Sequence, residues 1–212
     1  MKRLIGTVLP TPLALRSGLM IGAALATVSA SAPPAPDGLD LAGVHLGMTR
    51  QAWKTLKFPG ATSARVEPVC SDEPATATGG LLPAGTDLKA GVVVCGYLSR
   101  YGRYYLPQVI SLGLRLQARH LRFTFVNGRL SSMEYRASVD AFNDLTARLT
   151  ARYGPPTKLV RDTVRTELGA FPRVRQTWRT SRGQIELVDP VQPFTDLSVR
   201  LAAPGQPAGR AS

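Results

Sequence analysis

Residues 121–154 read LRFTFVNGRLSSMEYRASVDAFNDLTARLTARYG, and the fold is decided in this stretch. Phe123 and Phe125 alternate with Arg122 and Thr124, the period of a half-buried strand. Asn127-Gly128 marks a hairpin turn, where a positive φ costs Gly little. A two-residue turn sets Leu130, Ser132 and Glu134 on the face of Phe123 and Phe125. A three-residue loop with Gly128 in a left-handed bulge sets Met133 and Tyr135 there instead. The second register buries the more apolar pair and is the expected one. Ser138 is placed to cap a helix whose Val139, Phe142, Leu145 and Leu149 recur at helical spacing. Gly154 and Pro155-Pro156 stop it.

Upstream, Gly47-Met48-Thr49 leads into RQAWKTLKF, which reads as a short helix. Thr49 is its N-cap, Ala52, Trp53 and Leu56 are its buried stripe, and Pro59-Gly60 ends it. A strand is expected within 64–70. GVVVCGY over 91–97 has the continuous β-prone run of a buried strand, and VISLGLRL over 109–116 is a further strand. Downstream, 157–168, 173–180, 184–188 and 197–201 read as an antiparallel meander. Val174 and Trp178, Ile185 and Leu187, and Leu197, Val199 and Leu201 form its inward faces. The expected architecture is α+β, an antiparallel β-sheet with two helices packed on one face and one disulfide-closed loop.

The first thirty residues resemble an export signal. Lys2, Arg3 and Arg16 supply positive charge, GLMIGAALATV over 18–28 is a short apolar run, and small residues follow. Cleavage after Ala30 is preferred to cleavage after Ala32, because Pro33 follows the latter; retention as an anchor is the alternative, and the run is short for a bilayer. The domain plan is thus a signal peptide at 1–30, a Pro-rich linker at 31–38, one domain over 39–203 and a disordered tail at 204–212. Such a chain works in the periplasm or outside the cell.

Cys70 and Cys95 are the two cysteines of the chain, and in an exported protein an isolated pair reads as a structural disulfide. The loop it closes contains Pro74, Gly79-Gly80, Pro83 and Gly85. Chain entropy assigns such a cross-link about 3.5 kcal/mol. No metal site is expected, since His45 and His120 are the two histidines available.

The formal net charge is +12, or +9 once the three basic residues of the signal are set aside. That field favours acidic partners, including anionic lipid head groups, acidic glycans and acidic protein faces. Nucleic acid is a poor match for the inferred compartment. No nucleophile elbow, H-E-x-x-H, P-loop or dinucleotide fingerprint is present, so no enzyme and no cofactor are expected. His45 and His120 lack a partner that would make either a base. The local feature that points to function is YLSRYGRYYLP over 97–107. Tyr97, Arg100, Tyr101, Arg103, Tyr104 and Tyr105 interleave flat amphipathic rings with planar cations. They suit a protein interface or a sugar face beside an acid group; the plainer reading is a sheet edge with solvated arginines.

The succession Leu46-Gly47-Met48-Thr49 into a helix, then FVNGRL, then a helix ending Tyr153-Gly154-Pro155 and terminal strands resembles small bacterial envelope proteins. These are the outer-membrane assembly lipoprotein BamE and the β-lactamase-inhibitor-protein-like fold, with the likeness spanning about Leu41 to Leu201. The chain departs from them in lacking a lipidation cysteine near the signal and in its long cysteine-closed loop. The resemblance implies a non-catalytic, protein-binding role in the envelope and carries over no site residue. A binder of anionic envelope ligands, lipopolysaccharide or acidic glycan, through the Tyr/Arg surface is the second reading.

Overall fold

The computed structural model describes residues 43–56, 66–73, 82, 89, 91–102, 104–111, 116–167, 169–192 and 194–205. The expected signal peptide and linker, and the tail from 206 onward, lie outside the described residues. Among the described residues no helix is long and apolar enough to cross a membrane.

Alternating and β-branched sequence dominates these residues, and strands follow. They are β1 Val66–Cys70, β2 Val92–Tyr101, β3 Tyr104–Pro107, β4 Ile110–Ser111, β5 Gln117–Val126, β6 Arg129–Ser138, β7 Lys158–Thr166, β8 Gly169–Thr180, β9 Gly183–Val191 and β10 Asp196–Ala202. The helices are α1 Arg50–Lys54 and α2 Phe142–Tyr153, the latter entered through a 3-10 turn at Val139–Ala141. The expected α+β arrangement of two packed helices is therefore corrected. The molecule is mostly antiparallel sheet, with one helix of substance. The first helical stretch closes after five residues, because it has one large side chain to bury, Trp53, while Ala52 stays exposed. A single turn delivers that side chain.

All pairings are antiparallel, in the order β1-β2-β5-β6-β10-β9-β8-β7, with β3 on β2 and β4 on β5. The order divides into two four-stranded arrays that meet at their last strands. There β6 pairs with β10 from Ser138↔Asp196 to Ser132↔Ala202. Apolar rows cross this seam on one face: Phe123, Met133, Leu201, Ile185 and Trp178 lie in register, as do Tyr135, Val199 and Leu187.

The hairpin turn differs from expectation, although its outcome does not. Asn127 and Gly128 both have positive φ, 49° and 75°, and Val126 pairs directly with Arg129, so this is a two-residue turn. Phe125 then faces Leu130 while Thr124 faces Ser132, leaving Ser131 as an extra residue on β6. That bulge shifts the pleat by one residue. Leu130, Met133 and Tyr135 are all buried with Phe123 and Phe125.

α2 lays Leu145 and Leu149 on the apolar face. The Thr146 hydroxyl donates to Gln176 Oε1 (3.1 Å), and Trp178 Nε1 donates to the Gly154 carbonyl (3.0 Å). α1 is tied to the central hairpin through backbone bonds from Gly47 to Leu130 (2.8 Å), from Leu130 to Met48 (2.8 Å) and from Arg50 to Gly128 (3.0 Å). Thr49 Oγ1 accepts from the Ala52 amide (3.1 Å), the cap expected of it. Trp53 then sits among Tyr97, Phe123 and Phe125, at ring centroid distances of 4.7, 5.0 and 5.6 Å.

Trp53→Ala is expected to lower stability by about 3–5 kcal/mol, the loss typical of a fully buried aromatic. Trp53→Phe, which keeps the ring contacts, loses less. Urea unfolding followed by far-UV circular dichroism checks both.

Candidate functional site

β2 is longer than its pairing with β5, which ends at Cys95↔Phe123. Beyond that point β1 pairs one edge of β2 and β3 the other, so Leu98–Tyr101 and Tyr104–Pro107 form a hairpin of their own. Cys70 lies directly opposite Cys95, and the disulfide joins them, as expected. Asp72 and Glu73, just past β1, pair with Arg50 and Lys54 of α1. Cys70, Asp72 and Glu73 gather their ligand-type atoms together, but the sulfur is in the disulfide and both carboxylates hold cations. The cluster clamps β1 to α1 and is no metal site.

Of the six Tyr/Arg residues, the structure separates those whose side chains it describes. Tyr97 belongs to the core, edge-on to Phe123 at 5.6 Å, and burial pushes its hydroxyl pKa up to about 12. It offers no surface. Arg100 faces Tyr105 across the hairpin, and its Nε donates to the Gly102 carbonyl (3.3 Å). Tyr105 donates its hydroxyl to Glu67 Oε2 of β1 (3.2 Å); burial and then that carboxylate raise its pKa. Tyr101, opposite Tyr104, stands 67% exposed. Arg103 and the Tyr104 side chain lie outside the described residues.

Two neighbours escaped the sequence reading: Leu106 and Val109, each 52% exposed. The run from 109 reads as a strand by composition, and of it Ile110–Ser111 is strand, with Ile110 buried. The outward side of Val109 could be told only from a register that Pro107 interrupts.

The two histidines are not brought into a catalytic set. His45 is exposed, with Nδ1 3.1 Å from the Gly43 carbonyl. His120 has φ 53° within β5, where the pairing with β6 is irregular between Arg119 and Arg122. Its pKa is lowered first by burial, then by the positive field of Arg136 and Arg122. Asp196 opposes this shift, but that buried carboxylate is itself engaged by Arg119 Nη2 at 2.8 Å. Among the described residues, arginines rather than an oriented carboxylate surround this imidazole.

No family model, curated protein or solved structure matches this chain.

His120 supplies a pH prediction. Its folded pKa lies below the ordinary 6.5, so the unfolded chain takes up the proton first and stability falls as pH drops through that value. Asn tolerates positive φ. His120→Asn should therefore match the parent at about pH 8 and exceed it in melting temperature at about pH 5. Thermal melts at the two pH values check this, and an equal difference at both would refute the sign.

Proposed function

We propose that this protein is an exported, non-catalytic binding or assembly module of the bacterial cell envelope, which recognises a protein partner through the end of the β2–β3 hairpin. The observation that carries this reading is a concentration of exposed apolar surface. Four large hydrophobic side chains are exposed among the described residues, and three of them, Tyr101, Leu106 and Val109, belong to this hairpin and the chain leaving it. Scattered single residues of this kind are ordinary; three within 101–109, one of them a Tyr, have the composition of a binding surface.

The setting supports it. A disulfide across β1 and β2 and the Tyr105–Glu67 bond hold the base of the hairpin, so its contact residues need little ordering on binding. The disulfide also suits an oxidising compartment, in keeping with the signal-like sequence at 1–30. An anionic glycan or lipid head group is the weaker reading for this surface, because its exposed large side chains are apolar.

The test compares the form beginning at Ser31 with a Tyr101→Ser, Leu106→Ser, Val109→Ser variant in quantitative pull-downs from envelope extract. A protein partner should be enriched by the first, reduced about tenfold or more with the second, and retained at moderate salt. Equal recovery by both forms would remove the hairpin from the interface. Recovery of anionic material alone, lost on adding salt, would favour the charge-driven reading.

A further inference from the structure

We propose that β7 is a docking edge: an extended acidic segment of a partner protein adds to it as a further strand, pairing with the backbone of 159–165 and setting its acidic side chains against Arg161 and Arg165. β7 ends the strand order, and among the described residues it pairs with β8 alone. Its register runs unbroken from Lys158↔Thr177 to Thr166↔Gly169, with no proline in the strand. Leu159, Arg161, Asp162, Thr163 and Arg165 are all exposed, as on an edge that nothing covers. The two strands at the far end of the order differ: β1 and β3 are five and four residues long, and each carries a proline. The hairpin surface lies at that far end, so the β7 edge is a separate site.

The register decides which backbone groups face outward. Thr166 pairs with Gly169 across two intervening residues, and the pair closing so short a connection exchanges both its N–H···O=C bonds. Bonded pairs alternate with unbonded ones along an antiparallel ladder, so Lys158, Val160, Asp162 and Val164 direct their backbone groups to β8. Leu159, Arg161, Thr163 and Arg165 then turn their N–H and C=O groups to the outer edge. Pro172 agrees with this phase: it stands opposite Thr163 and has no N–H, as an unbonded pair allows.

Charge selects the occupant. Side chains alternate between the two faces of a strand, so Arg161 and Arg165 share one face. On it Arg161 stands opposite Val174 and Arg165 opposite Ala170, apolar neighbours on the inner side of each. Asp162 belongs to the other face, where Arg173 holds it through two bonds (2.8 and 2.7 Å). Opposite charges directly across neighbouring strands are favourable, and like charges there are not. An added strand therefore gains by placing two acids four positions apart, against Arg161 and Arg165, and loses by placing cations there.

The same rule disfavours a second copy of this chain. Twofold pairing of β7 with itself has to join outward residues to outward residues, which restricts the register. Centred on Asp162, it opposes the two Asp162 side chains. Centred on Arg161, it opposes the two Arg161 side chains, and centred on Thr163 it sets Arg161 against Arg165 twice. The three registers of greatest overlap thus each oppose like charges. An open edge of this length ordinarily invites self-pairing. This one is guarded against its own copy and matched to an acidic strand, whose main-chain bonds supply affinity and whose alternate side chains supply specificity.

The experiment adds the acetylated and amidated peptide TEVTVEVT, whose glutamates lie four positions apart, to the isotope-labelled form beginning at Ser31 at moderate salt. Amide hydrogen exchange is read residue by residue by NMR. The amides of Leu159, Arg161, Thr163 and Arg165 should exchange fast in the free protein and slow about tenfold or more on saturation with peptide, while those of Val160, Asp162 and Val164 are slow throughout. Glutamine in place of both glutamates, or Arg161→Gln/Arg165→Gln in the protein, should weaken binding about tenfold, the sum of two exposed ion pairs. Arg179→Gln/Arg182→Gln, an exposed pair of equal charge at the β8–β9 turn, should stay within about twofold of the parent. A peptide N-methylated on its glutamates and on the threonine between them keeps its charge and should not bind. Binding that survives N-methylation, protection confined to other amides, no binding of the glutamate peptide, or self-association through β7 in its absence would each overturn the proposal.

Discussion

The pairing of β6 with β10 is the constraint on which the rest depends. It joins two four-stranded arrays whose own contacts are between neighbouring strands, and it does so between segments 132–138 and 196–202. Because the register is continuous across it, Tyr135 continues into Val199 and Leu187, and Met133 into Leu201, Ile185 and Trp178. A slip of one residue would turn every one of these side chains to the opposite face. The bulge at Ser131 is part of the same device: it corrects the pleat after a two-residue turn, so that Leu130 and Met133 share a face.

The seam also organises charge on the other face. There Arg122, Glu134, Arg200 and Glu186 stand opposite one another on successive strands, cation alternating with anion. Arg175 joins Glu186, and Arg119 reaches buried Asp196. Opposite charges at directly facing positions stabilise neighbouring strands, and like charges there would separate them. The positive excess of the chain is therefore not spread evenly. It is neutralised row by row over this face of the sheet.

Much of this was legible in the sequence. Local signals with one physical meaning were read as they fold: Thr49 and Ser138 as caps, Leu145 and Leu149 as the buried stripe, Gly154 as a stop, and Cys70 with Cys95 as a bonded pair. Failures came where a nonlocal fact decides. Asn127-Gly128 permits either turn length, and the bulge that settles the face lies three residues later. Tyr97 shares its composition with Tyr101, yet one packs on Trp53 and the other stands in solvent; only the placement of α1 separates them.

An exposed apolar hairpin beside a sheet edge is ordinarily a hazard, since open edges recruit other strands. Here the edge is blunted. β1 is five residues long and carries Pro68, and β3 is four residues long and ends in Pro107; each proline removes a donor that another chain could use. Asp72 and Glu73 spend their charge on α1 rather than on repelling a neighbour. The remaining invitation is made by side chains, Tyr101, Leu106 and Val109, and not by backbone. Side-chain surfaces discriminate by shape, whereas open backbone accepts any extended peptide. At this edge the apolar groups are presented by side chains rather than by open backbone, which supports the proposed reading of the hairpin as an interface.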